Sequence, residues 1–222
     1  MHEDSPGTPL IQRALRKIRQ AIDTRHPWEQ KRLTEKLRPL QLRIFEPEDL
    51  KWCLELYTRN ERCGLPAFGR EIYAEYLESQ KHLVFIAEDA SGRAGTFGIH
   101  RIDEENIYIS FVMVDPAIQK SGIGTTMLTA AIALLEPKRT EQNIFLTANP
   151  RSMPFYRQLG YEEFHEEEMR DTKIIYACLG SLSASLIADC RDMLAGARVK
   201  FPAPPIRLPI AESPLPQAPL AP

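Results

Sequence analysis

Between Val114 and Thr125 the chain reads Val-Asp-Pro-Ala-Ile-Gln-Lys-Ser-Gly-Ile-Gly-Thr, a stretch able to hold an anion on its backbone. Amides at a helix N-terminus point outward with partial positive charge, and residues without a Cβ let a diphosphate come close to them. Gly122 and Gly124 supply that access at the head of a predicted helix, and Lys120 adds a charge-assisted contact. Read without a ligand, the same glycines make a tight strand-to-helix turn. Two familiar nucleotide loops do not fit. A P-loop needs lysine after its second glycine, where Thr125 stands, and G-x-G-x-x-G needs a third glycine where Met127 stands.

The loop needs a strand before it and a helix after it. Ile107 to Val114 reads as the strand. Met127, Leu128, Ala131, Ile132 and Leu135 form an apolar stripe from Gly124 to Glu136, and Pro137 stops it. Upstream, a strand at Leu42 to Phe45 leads to a helix opened by Pro47, and a second helix runs from about Arg70 to Ser79. Leu83 to Glu88 and Ala94 to Ile102 then make an antiparallel meander with the strand before the loop. Downstream come a strand at Asn143 to Ala148, a short helix at Pro154 to Leu159 ended by Gly160, and a hairpin of Phe164 to Met169 with Lys173 to Leu179. Strands that first pair antiparallel and then cross over a helix define an α/β (α+β) domain over residues 41–180.

Two extensions flank it. In residues 1–40, Thr8 and Pro9 open a helix with Leu10, Ile11, Leu15, Ile18 and Ile22 on one face and Arg13, Arg16, Lys17 and Arg19 on the other. Residues 181–200 carry a short helical segment. Residues 201–222 are so rich in proline that an extended, mobile tail is expected.

Composition sets outer limits. Of 222 residues, 28 are Lys or Arg and 30 are Asp or Glu, and a net charge of −2 argues against a dedicated nucleic-acid binder. The first residues lack a basic start followed by an apolar run, and no stretch reaches the length of a membrane span, so a cytoplasmic protein is expected. Cys53, Cys63, Cys178 and Cys190 lie far apart with no C-x-x-C spacing, which signals neither a metal site nor a redox pair.

Gln119-x-x-Gly122-x-Gly124, preceded by Val114-x-Pro116, resembles the coenzyme A motif of the Gcn5-related N-acetyltransferases (GNAT family). Asn143 to Asn149 is similar to that family's fifth strand, and Ser152-Met-Pro-Phe-Tyr-Arg-Gln-Leu-Gly-Tyr161 to its following helix. The resemblance covers roughly Leu42 to Leu179. It implies a mixed, mostly antiparallel sheet of six to seven strands flanked by helices, with the fourth and fifth strands splayed around pantetheine. It further implies acetyl-CoA as donor and a primary amine, small molecule or protein, as acceptor. Met113 and Val114 become main-chain partners of pantetheine. Gln119, Lys120, Ser121, Gly122, Ile123, Gly124 and Thr125 become the diphosphate cradle. Asn149 stands where the family often holds the cofactor through an amide, though Asn-Pro is also ordinary turn chemistry. Tyr156 matches the tyrosine that gives a proton to the departing thiolate. Family habit adds a homodimer.

One part of the pattern is missing. Several relatives carry a glutamate base on the fourth strand, but Ile107 to Val112 holds no carboxylate. His100 or Tyr108 acting through water is the expectation in its place, with Asp103, Glu104 and Glu105 as turn residues and His82 and His165 as surface residues. Acceptor choice is expected in Arg59 to Ser79 and in the hairpin His165 to Lys173, where Glu162, Glu163, Glu166, Glu167 and Glu168 can draw a cationic amine or simply be solvated. A coenzyme A-binding sensor or scaffold without catalysis is the alternative from another class, and Tyr156 argues against it.

Overall fold

A computed structural model describes residues 33–79, 81–136, 142–203 and 206–211. The basic stripe predicted at Arg13 to Arg19 and the last prolines from residue 212 lie outside these. Seven strands form one sheet in the order β1-β2-β3-β4-β5-β7-β6. They are β1 (Gln41–Ile44), β2 (Leu83–Asp89), β3 (Gly92–Arg101), β4 (Asn106–Val114), β5 (Gln142–Ala148), β6 (Glu162–Met169) and β7 (Thr172–Leu182). Every neighbouring pair is antiparallel except β4 and β5, which run parallel because a helix crosses between them.

Two helix layers cover the sheet. Helices α1 (Leu50–Glu61) and α2 (Gly69–Glu78) lie on one face, where Cys53, Leu56, Tyr57, Tyr73 and Leu77 pack on Val84, Ile86 and Met113. Helices α3 (Ile123–Ala133), α4 (Met153–Gln158) and α5 (Ala184–Gly196) contribute to the larger core on the other face. The predicted stripe of α3 is fully sunk in that core, and each large side chain so buried contributes about 1.5–3 kcal/mol.

The sheet opens where β4 and β5 part. Their pairing runs from Asn106↔Asn143 to Ile109↔Leu146 and stops, although β4 continues to Val114 and β5 to Ala148. A bulge in β4 coincides with the opening. Gly98 faces Ser110 and Thr96 faces Met113, so Phe111 and Val112 oppose one residue of β3, and Phe111 takes a positive φ of 49°. The extra residue bends and twists β4 away from β5.

Of the C-terminal segments, the helix predicted within residues 181–200 forms and the tail differs from expectation. Helix α5 is part of the core: Ile187, Cys190 and Leu194 are wholly buried, and Arg191 donates to Ala133 O (2.9 Å) and Leu135 O (2.8 Å) at the end of α3. The tail does not leave the domain at Phe201. Lys200 exchanges backbone hydrogen bonds with Leu40 and Leu42, and Phe201, Ile206 and Leu208 pack on the core. Arg101 N then donates to Pro209 O, and Ala211 N to Arg101 O. Prolines lack donors, but their carbonyls and apolar rings can line a strand end, which is how this extended segment is held as far as Ala211.

Candidate active site

The loop after β4 is shaped from several sides. Asp115 accepts from Ala117 N (3.0 Å) to start a 3-10 turn and pairs with Arg59 (3.1 Å). Lys120 has φ 65° and Gly122 has φ 101°, so the loop makes two left-handed steps before α3. A Cβ on Gly122 would stand 2.0 Å from Lys36 O, which means that the end of the N-terminal extension lies against the loop. Arg38 N also donates to Thr126 Oγ1 (3.0 Å) in the first turn of α3. The opening amides of α3 have no partner within the helix, as at any helix start. Ser121 Oγ is buried without a hydrogen-bond partner among the described residues. A hydroxyl donor so placed, beside free amides and the exposed Lys120, suits a diphosphate.

The side chain of Gln119 is engaged by protein groups. Its Nε2 donates to Asn60 Oδ1 (3.0 Å) and Val114 O (3.3 Å), so the side chain braces the loop from within the protein. Asn60, buried in α1, donates in turn to Leu56 O (3.0 Å) and Val114 O (3.2 Å). Asn60 was not singled out from sequence. The available signal was a polar residue on the helix stripe that begins with Cys53 and Tyr57.

The gap between the strands has a defined lining. An antiparallel ladder turns alternate residues to opposite sides. Asp115 N donates to Ala94 O, so Met113 also turns its backbone to β3 while Val112 and Val114 face the opening. Met113 therefore lies with its backbone on the β3 side, and the Val114 carbonyl serves Asn60 and Gln119. Met113 instead buries its side chain beneath α1 and α2.

On the other side of the loop, a Cβ on Gly124 would lie 3.3 Å from Phe155 Cζ, so the absence of a side chain there seats the Phe155 ring. Tyr156 follows, packed edge-on against Tyr161 at 5.7 Å, with no hydrogen bond to its hydroxyl among the described residues. Burial pushes its phenol well up, and nearby Tyr108 adds to the shift. Asn149 is engaged by protein: Nδ2 donates to Gly64 O (3.0 Å) and Oδ1 accepts from Ser152 N (2.8 Å). It closes the turn into α4 and ties it to the α1–α2 loop.

Beyond the gap, on the α1–α2 face, lies a polar and aromatic cluster. Tyr108 donates to Thr147 Oγ1 (3.1 Å), bridging β4 and β5 just past their last pair. Burial raises its pKa to about 12, moderated by that hydrogen bond. Ser110 Oγ donates to the Tyr76 hydroxyl (2.7 Å), which fits only because residue 98 is glycine: a Cβ there would be 2.0 Å from it. His100 is buried, with its ring 5.6 Å from Tyr108. His82 is not the surface residue expected. It stacks on Tyr76 at 4.1 Å and lies 4.7 Å from His100, and burial, then Lys81, lower its pKa.

The acidic hairpin is largely committed. Glu166 pairs with Lys173 (2.6 Å), Glu163 with Arg157, and Glu167 accepts from the Tyr176 hydroxyl (2.5 Å). At the hairpin tip Arg170 lies 5.1 Å over the Phe68 ring, closing the hairpin onto the α1–α2 loop. Asp103 holds its turn by accepting from Glu105 N, Asn106 N and Asn106 Nδ2.

Comparison with known proteins agrees with this arrangement. The family model described as an acetyltransferase (GNAT) domain matches residues 56–176. No curated protein sequence matches the chain. Among solved structures, the ribosomal-protein-S18-alanine N-acetyltransferase from Escherichia coli is similar at 18% identity and a TM-score of 0.52, covering 64% of this chain and 94% of that one. Ard1 from Thermoplasma volcanium is similar at 13% identity and a TM-score of 0.53, covering 65% and 99%. A spermidine N-acetyltransferase chimera from Vibrio cholerae is similar at 16% identity and a TM-score of 0.50, covering 67% and 98%. At such identities the likeness is one of fold. The strand order, the parted β4 and β5, the glycine loop and the family model together place this chain in the GNAT family of acetyltransferases, enzymes that transfer an acetyl group to an amine.

Proposed function

We propose that the chain transfers the acetyl group of acetyl-CoA directly to a primary amine, with the pantetheine arm between β4 and β5. The observation that carries this reading is the end of β4–β5 pairing at Ile109↔Leu146, flanked by the glycine loop on one side and Tyr156 on the other. In this reading the diphosphate rests on the backbone of Gln119 to Thr125, with Ser121 Oγ and Lys120 as additional donors. Val112 N–H and Val114 N–H serve the pantetheine and the acetyl carbonyl, where a fixed backbone donor stabilises negative charge developing on oxygen. Asn149 acts chiefly by shaping the turn into α4.

Tyr156 gives its proton to the leaving thiolate. Its raised pKa does not oppose this, because the thiolate is desolvated in the same gap and gains basicity for the same reason. Removal of the amine proton falls to water ordered by His100 and Tyr108, since β4 carries no carboxylate. The acceptor enters on the α1–α2 side, between the loop at Phe68 and the β6–β7 hairpin. The buried free thiols Cys53, Cys178 and Cys190 accord with a reducing cytoplasm, and no described helix is long and apolar enough to cross a membrane.

The test is calorimetric titration with acetyl-CoA, followed by thiol release over a panel of primary amines and lysine peptides. Micromolar binding and amine-dependent release support the proposal. Tight binding with no release on any acceptor favours a sensor, and absence of binding overturns it.

A further inference from the structure

A buried amide outside the glycine motif stands where helix and loop meet. Asn60 occupies the last turn of α1, is 5% exposed, and uses both amide hydrogens and its carbonyl oxygen. One hydrogen goes to Leu56 O in its own helix and the other to Val114 O, the last residue of β4. Its Oδ1 receives Gln119 Nε2, and Gln119 Nε2 also reaches Val114 O. Three residues from α1, β4 and the loop thus close a small ring of amide hydrogen bonds. The backbone of the same asparagine accepts from Cys63 N (2.8 Å) and Leu65 N (3.3 Å), which starts the loop toward Phe68.

We propose that Asn60 is a positioning residue for the coenzyme A cradle, fixing Gln119 and the end of β4 so that the loop amides converge on the diphosphate. The proposal rests on acetyl-CoA being the donor. Its physical basis is preorganisation: a loop with two left-handed steps has many other conformations, and amides that must be gathered at binding cost affinity. Only an asparagine meets this geometry. Aspartate cannot donate to Val114 O and adds negative charge beside an anion site, while leucine fills the space but leaves Gln119 without its partner. The Arg59–Asp115 pair acts on the same junction from the exposed side, so it is left intact in the test.

The experiment is a double-mutant cycle on acetyl-CoA affinity with Asn60→Leu, Gln119→Leu and the double variant, each checked for folding by thermal melting. Each single variant is expected to weaken affinity about tenfold, and the double variant by little more than either, because each removes the same contact. Asn60→Asp is expected to be weaker than Asn60→Leu. The acceptor KM should stay within about twofold of wild type at saturating acetyl-CoA, which a general loss of packing would not produce. Should Asn60→Leu fail to fold, Asn60→Ser replaces it in the same cycle. Multiplying effects of about a hundredfold in the double variant, or unchanged affinity in the folded single variants, overturns the proposal. If wild type binds no acetyl-CoA, the donor assignment itself fails and this inference with it.

Discussion

The two sides of the β4–β5 gap are built from different materials. On the side proposed for the cofactor most polar groups are backbone amides of one continuous stretch, Val112 to Thr125, shaped by left-handed steps at Lys120 and Gly122 and joined by Ser121 Oγ and Lys120. On the side proposed for the acceptor they are side chains from separate elements: Tyr76 on α2, His82 before β2, His100 on β3, Tyr108 and Ser110 on β4, and Thr147 on β5. A backbone cradle recognises what all members of a family share, whereas a side-chain cluster can change one residue at a time.

The comparison can be broken at its glycines, because each meets a different kind of neighbour. A Cβ on Gly122 would press on the Lys36 backbone and force a positive φ on a branched residue, so Gly122→Val should weaken acetyl-CoA binding about a hundredfold, read by calorimetry. A Cβ on Gly98 would meet the movable hydroxyl end of Tyr76. Gly98→Ala should therefore raise the acceptor KM about tenfold and leave acetyl-CoA affinity unchanged, a split that steady-state kinetics with each substrate varied would reveal. Equal effects of both variants on both substrates would erase the distinction drawn here. Gly124→Ala is the mildest, since its Cβ would come no closer than 3.3 Å, to Phe155 Cζ, and a loss of about twofold in acetyl-CoA affinity is expected.

Titration separates the sides as well. Burial raises the Tyr156 phenol above its ordinary value of about 10, so the proton donor stays protonated through neutral and mildly alkaline pH. An alkaline decline in kcat caused by Tyr156 must then begin above pH ~10 and vanish in Tyr156→Phe. Tyr108→Phe and His100→Gln should alter the pH–rate profile if they order the water that receives the amine proton. An unaltered profile in both would remove them from that role.

Legibility in the sequence follows the same division. The cradle could be read because glycine spacing, the stripe of α3 and the strand before it are local and contiguous. The order of elements was legible for the same reason, as was the parting of β4 and β5 through the resemblance. The side-chain partner of Gln119 lies fifty-nine positions away in α1, and no periodicity links the two. Which main-chain groups at the end of β4 face the opening depends on ladder register, which a one-residue bulge resets and the residue pattern does not show. His82 flanks a strand and reads as a surface residue, yet it is half-buried because Tyr76 covers one face of its ring. The tail was judged by its proline content, which is silent on carbonyls paired to the end of β3.

The central claim is most directly tested by acetyl-CoA-dependent thiol release with a turned-over amine, comparing wild type with Tyr156→Phe at saturating donor. With Tyr156 as the proton donor, the variant keeps acetyl-CoA affinity within about twofold of wild type and its kcat falls by about a hundredfold or more, the range for loss of a general acid. Unchanged kcat in the phenylalanine variant would contradict it and assign the thiolate's proton to another group.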